Sequence, residues 1–209
     1  LRWPLVAAQL PETLHRRARN VHKGTFGTLA VVGGAQGMLG AALLCARAAL
    51  RLGAGKVFVG FAAADHPAVD FASPELMLRG ADDVFDGVDA MVIGPGLGTG
   101  DAAHALVARA IASALPLLLD ADALNLVAAR APLRDALRAR DGATILTPHP
   151  AEAARLLATD VAGVQRDRLG AAQALARACN AHVVVKGAGS VLANPDGSFD
   201  INASGNPAL

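Results

Sequence analysis

The feature that most constrains this chain is a repeated switch of hydrophobic period. A short apolar run stops at a glycine- or carboxylate-rich turn, and a segment with helical spacing follows. Thr28–Val32 (TLAVV) stops at Gly33 and Gly34, and GAALLCARAALRLGAG follows, with Gly53 and Gly55 as its stop. Lys56–Phe61 (KVFVGF) reads as the next strand, and residues 66–80 as a helical or irregular piece. Ala90–Ile93 leads into GPGLGTG and an alanine-rich helix over 101–113. Leu117–Leu119 leads into DADALN and a helix with Leu124, Val127 and Ala128 on one face. Thr144–Leu146 leads into TPHPAE and a helix over about 151–158, and a further helix is expected over about 164–180. Val183–Val185 ends at KGAGS, and Ser190–Ala193 pairs with Ser198–Ile201 across the turn NPDG. Residues 1–24 read as an irregular lead with a short helix. Strand then helix, repeated with short loops, implies an α/β fold with a mostly parallel central sheet between helical layers. No linker or internal repeat divides it, so residues 1–209 form one domain.

Composition excludes several function classes. Apolar residues make up 53% of the chain and charged ones 18%, which is globular rather than disordered. Mean hydropathy is positive. Even so, Arg47, Arg51, Asp65 and Asp89 keep every apolar run short of the roughly 18 residues a spanning helix needs. The formal net charge of +1 comes from scattered residues, so no basic nucleic-acid surface is expected. Cys45 and Cys179 sit in helix-like apolar settings and read as buried, reduced thiols. The opening LRWPLVAAQL lacks the pattern of a signal peptide, which gives a cytoplasmic expectation. There is no Ser-His-Asp order, metal-binding His pair or CxxC, so triad hydrolase, metalloprotease and dithiol redox readings lack support.

In open α/β sheets ligands bind at the carboxyl ends of the strands. The clusters GGAQGMLG (33–40), GPGLGTG (94–100), DADALN (120–125), TPHPAE (147–152) and KGAGS (186–190) all fall at such ends. The glycines of the first two let backbone N–H groups approach a ligand, although the spacing is neither a dinucleotide fingerprint nor a P-loop. Asp120 ends a buried strand, where a lone carboxylate is costly, and suits Mg²⁺, its waters or a substrate hydroxyl. Asp122 reads as an N-cap of the next helix. His149, clamped between two prolines, reads equally as a structural imidazole or as a presented one. Glu152 suits the first turn of the helix that follows. Nearly all basic residues are Arg, so Lys186 stands out as a compact ammonium placed to meet a phosphate. Gly187 and Gly189 leave room beside it, and Ser190 can bond the same ligand.

The stretch HKGTFGTLAVVGGAQGMLGAALLCARAALRLGAGKV (22–57), followed in order by GPGLG, DADALN, TPHPAE and KGAGS, resembles the ADP/ATP-dependent NAD(P)H-hydrate dehydratases. These belong to the ribokinase-like superfamily, and the likeness covers about residues 20–209. It implies a ribokinase-like three-layer α/β/α fold and a lyase that repairs hydrated NADH or NADPH, with ADP or ATP as co-substrate and Mg²⁺ as cofactor. By position it implies that Ala41, Gly98 and His149 contact the hydrated nucleotide, with Asp120 and Asn125 in the same site. It assigns Lys186, Gly187, Ala188, Gly189 and Ser190 to the adenine nucleotide, and no residue as a metal ligand. The implied mechanism phosphorylates the hydrate's hydroxyl and then eliminates phosphate. The family's catalytic Asp lies in a Gly-Thr-Gly-Asp segment that follows GNPAL, beyond Leu209. The sequence therefore reads as a truncated domain with weak binding and poor turnover, and its catalytic residue stays unknown. The likeness also implies a homo-oligomer, a tetramer, and in many relatives an epimerase domain ahead of this one. Rival readings are a superfamily kinase acting on a vitamin-precursor alcohol, and a non-catalytic nucleotide-binding domain.

Overall fold

Each apolar run becomes a strand because its Val, Leu and Ile side chains can bury on both faces of a sheet, at about 1.5–3 kcal/mol per side chain. The computed structural model describes residues 23–202; most of the expected irregular lead lies outside them. The strands are β1 (Thr28–Gly33), β2 (Lys56–Phe61), β3 (Met77–Gly80), β4 (Ala90–Ile93), β5 (Leu117–Leu119), β6 (Thr144–Leu146), β7 (His182–Val185), β8 (Val191–Ala193) and β9 (Phe199–Ile201). They form one nine-stranded sheet in the order β3-β2-β1-β4-β5-β6-β7-β8-β9. Pairing is parallel from β3 through β7, and β8 and β9 add antiparallel as the hairpin expected across NPDG. The order reverses between β1 and β4, which opens a crevice at the carboxyl edge there.

The helices are α1 (Leu39–Leu52), α2 (Asp101–Ala112), α3 (Asp122–Ala129), α4 (Ala131–Arg138), α5 (Pro150–Leu157), α6 (Val161–Arg166) and α7 (Arg168–Cys179). Helix α1 packs on Val31, Val57, Val59 and Phe61. The other helices join the larger core on the opposite face, around Leu119, Leu124, Leu146, Leu175 and Val185. The three layers expected from the sequence are present but unequal. Val31, Val92, Leu118 and Ile145 share one face by register. Val31 is fully buried beneath α1, whereas Ile145 and, further along, Leu192 are each 38% exposed.

Three expectations change. Residues 66–80 contain no helix: Met77–Gly80 pairs with Phe58–Phe61 as an edge strand. The helix expected over 164–180 is two helices, because Asp167 leaves helical geometry (φ −141°, ψ 76°) to accept the Gly170 N–H at 2.8 Å and start α7. The cysteines are free thiols, but half-buried rather than fully buried.

Candidate functional site

All five loops lie along the carboxyl edge of the parallel strands. The first two are laced together by their backbones: Gly34 N–H donates to Pro95 O at 2.9 Å and Ala35 N–H to Gly96 O at 2.6 Å. Ala41, in the first turn of α1, faces Gly96, where an added Cβ would stand 3.1 Å from the Ala41 Cβ. Gly98 has only Ala35 within 4 Å of its Cβ position, at 3.7 Å, so the groove beside it is open. Gly94 needs glycine twice over. Its φ is +123°, and a Cβ would lie 1.9 Å from Asp120 O.

DADALN turns sharply at Ala121, whose φ of 50° and ψ of −118° lie outside the regions an alanine favours. This kink sends the two carboxylates in different directions. Asp122 does not cap α3, since the N-cap position is Ala121; its Oδ2 accepts the Gly98 N–H at 2.8 Å and tethers the GPGLG loop. Asp120 points the other way, and its Oδ1 accepts from Lys186 Nζ at 2.6 Å. Asn125 lies further along α3, where its Oδ1 accepts from Arg155 Nη1 of α5 at 2.9 Å.

TPHPAE forms a capping box. His149 Nδ1 accepts the N–H groups of Ala151 and Glu152 at 3.1 and 3.4 Å, and the Glu152 carboxylate accepts the His149 N–H at 2.8 Å. Both structural readings thus hold: His149 is the cap, and Glu152 is the buried first-turn carboxylate. Because Nδ1 is an acceptor, a neutral His149 carries its proton on Nε2, which lies 3.2 Å from Glu152 Oε1. The ring remains 47% exposed.

Lys186 directly follows β7, and its N–H donates to Pro148 O at 2.8 Å, which binds the KGAGS turn to the TPHP loop. Its ammonium stands 2.6 Å from Asp120 Oδ1 and 4.0 Å from Glu152 Oε2, so one ammonium faces two carboxylates. Ser190 Oγ donates to Gly187 O at 3.1 Å. The N–H groups of Gly187, Ala188 and Gly189 meet no acceptor among the described residues. Three consecutive free amides beside an ammonium make an anion-binding concavity. The structure therefore gathers Asp120, His149 and Lys186 on one edge. It places Ala41 and Gly98 at the switch-point crevice and Asn125 on an interhelical contact.

Two further neighbours had no signal in the sequence. Arg168 of α7 reaches under the KGAGS turn, and Cys45 of α1 feels the Asp120 charge. Burial first, and Asp120 second, push the Cys45 thiol up to about 11. A cavity of about 580 Å³ between α2 and α4 is lined by residues that include His104, Ile111, Leu133 and Arg140 and lies away from all five loops.

A mostly parallel sheet with its switch-point crevice flanked by glycine loops and an amide-lined turn defines a nucleotide-using α/β protein of the ribokinase-like class. Its fold matches a ribokinase-like superfamily protein from Enterococcus faecalis, with a TM-score of 0.78 at 22% identity over 93% of this chain and 69% of that one. The family model for NAD(P)H-hydrate dehydratase matches residues 29–209, and the chain belongs to that family. It is 47% identical to the ADP-dependent (S)-NAD(P)H-hydrate dehydratase of Neisseria meningitidis, over 97% of this chain and 70% of the relative. The ADP/ATP-dependent NAD(P)H-hydrate dehydratase of Bacillus subtilis, co-crystallised with ATP/Mg²⁺, superimposes with a TM-score of 0.77 at 31% identity, over 91% and 69% of the two chains.

Proposed function

We propose that this protein dehydrates hydrated NADH and NADPH at the expense of ADP or ATP, restoring the reduced cofactor. The observation that carries the reading is the meeting, on one sheet edge, of a Lys-headed turn with three free amides and an open, glycine-floored crevice. The turn of Lys186, Gly187, Ala188, Gly189 and Ser190 suits the nucleotide's phosphates. Ala41, Gly98 and His149 suit the hydrated nucleotide, with Asp120 between the two groups.

In the reaction, the terminal phosphoryl group passes to the hydrate's hydroxyl, whose proton goes to a base. Phosphate then leaves as the neighbouring carbon loses a proton, and the ring double bond re-forms. ADP plus hydrate becomes AMP, phosphate and NAD(P)H. The work of such a site is positioning and charge neutralisation. Lys186 exchanges its Asp120 partner for phosphate, and the turn's amides hold the oxygens. His149, whose ring is held by its capping bonds, presents its imidazole to the hydrate. The family resemblance assigns the base to the Asp of the Gly-Thr-Gly-Asp segment, so none of the described carboxylates is given that role.

Among the described residues no three His, Cys, Asp or Glu side chains are grouped to hold a metal. Two carboxylates against one ammonium nevertheless suit a Mg²⁺ carried in by the nucleotide, since this ion is commonly held by one or two carboxylates plus phosphates. Asp120 is the residue that would hold it, and when bound it would neutralise charge on the transferred phosphoryl group. No helix among the described residues is long and apolar enough to cross a membrane. A homotetramer, implied by the family resemblance, and a cytoplasmic location complete the reading.

The test is to mix the protein, carrying its native C-terminus, with hydrated NADH, Mg²⁺ and ADP or ATP, and follow NADH absorbance. Nucleotide-dependent recovery, lost in Lys186→Ala, is expected. Nucleotide binding without recovery would overturn the dehydratase reading.

A further inference from the structure

The KGAGS turn is held from beneath by one side chain. Arg168 Nη1 donates to Ala188 O at 2.7 Å and Nη2 to Val185 O at 3.2 Å. The guanidinium lies so close under the turn that a Cβ on Gly187 would stand 2.9 Å from Nη2, and Gly187 also has a φ of +149°. Its Nε is buried without a hydrogen-bond partner. Arg168 is the first residue of α7, the end of a helix at which a positive charge is disfavoured. Neither the helix nor its own solvation explains this residue, whereas the turn does.

A planar trans peptide points its N–H opposite to its C=O. Drawing Ala188 O down onto Arg168 therefore turns the Gly189 N–H outward, on the face away from the guanidinium. Ser190 does the same for the next peptide back: its hydroxyl holds Gly187 O and so turns out the Ala188 N–H. At Val185, the second Arg168 bond fixes the peptide whose N–H belongs to Lys186 and donates to Pro148 O. Two side chains, one from α7 and one from the turn itself, thus set the direction of two of the three free amides. Arg168 also brings a fixed cation behind them.

We propose that Arg168 is a positioning residue for the phosphates of the adenine nucleotide. It acts through the Ala188 and Val185 carbonyls and does not touch the ligand. This rests on the assignment of the KGAGS turn to the nucleotide. A flexible lysine at 168 can satisfy one carbonyl and keeps the charge, whereas methionine keeps only the bulk.

The test measures ADP dissociation constants by calorimetry, together with KM for hydrated NADH and Tm, for wild type, Arg168→Lys, Arg168→Met and Arg177→Met. Arg177 is an exposed arginine on the same helix and serves as the surface control. Arg168→Met is expected to weaken ADP by about tenfold or more, because the freed turn must be ordered again on binding and the cation behind its amides is gone. Arg168→Lys should fall between it and wild type. KM for the hydrate should stay near wild type, Tm should fall by only a few degrees because one of the two freed carbonyls is exposed to water, and Arg177→Met should change nothing. ADP binding that is equal in wild type and Arg168→Met would overturn the proposal. So would an equal loss for ADP and hydrate accompanied by a lowered Tm, which would mark Arg168 as a fold residue only. If wild type itself fails to bind ADP, the failure lies with the nucleotide assignment and takes this proposal with it.

Discussion

At Ala121 the backbone sits at φ 50° and ψ −118°, a conformation that costs a side-chain-bearing residue about 1–3 kcal/mol. Glycine would relieve that strain but lose about 0.5–1 kcal/mol in chain entropy. Ala121→Gly should therefore raise stability by about 1 kcal/mol, a Tm gain of about 2–4 °C by calorimetry; a lower Tm would show that the kink is not strained. The Arg47–Asp70 pair makes two hydrogen bonds, at 2.7 and 2.6 Å, and pins the loop after β2 to α1. The Arg47 hydrogen bond holds the Asp70 carboxyl below its usual range. Its contribution is then complete above the unfolded value of about 4 and lost as pH falls through the lower folded value. Asp70→Asn should lower Tm at neutral pH and shrink the gap to wild type in strong acid. With its thiol pushed up to about 11, Cys45 should alkylate slowly at pH 8 in the native protein and quickly once unfolded, as mass spectrometry would show. At this scale, Lys186 and Asp120 were legible because each follows an apolar strand. Their pairing was not, since 66 positions separate them. Arg168 carried no signal, because its purpose lies in carbonyls 17 and 20 residues away.

Elements were legible wherever burial dictated their period. β1, β2, β4, β5 and β6 form within a residue of where their apolar runs place them. β3 was missed because MLRG is short and lies at the sheet edge, where only one face needs apolar residues. The break at Asp167 was missed because Val164, Ala171, Ala172 and Leu175 look continuous in helical register, while an aspartate can pull a helix start onto itself. Helix α4 went unread because five of its eight residues are exposed arginine, aspartate or alanine and its apolar stripe is only Leu133 and Leu137. Arg140, just after it, binds the end of α2. Its guanidinium donates to Ala110 O, Ile111 O, Ser113 O at 2.7 Å and Leu115 O at 2.6 Å, and Nε donates to Thr144 Oγ1. Arg140→Met would strand those acceptors and should cost about 3 kcal/mol in denaturant unfolding. A loss under about 1 kcal/mol would mean that water replaces the guanidinium.

Across the whole molecule, the reversal of strand order between β1 and β4 links the fold to the chemistry. It brings loops from opposite ends of the chain to one edge, with the glycine crevice on one side and the Lys186 turn on the other. The alternation of strand and helix made that edge readable, and the motif order made the family readable. The unequal helical layers, with Ile145 and Leu192 partly bare on the α1 face, were not readable, since a buried strand and a half-covered one share the same apolar run. The proposed reaction at this edge spends a phosphoanhydride to remove water from the hydrate. It is tested most directly by counting AMP, phosphate and NADH in one reaction of the protein, carrying its native C-terminus, with ADP, Mg²⁺ and hydrated NADH. Equal amounts of all three are expected. A stable phosphorylated product with no NADH, or bound ADP that is never consumed, would contradict the account.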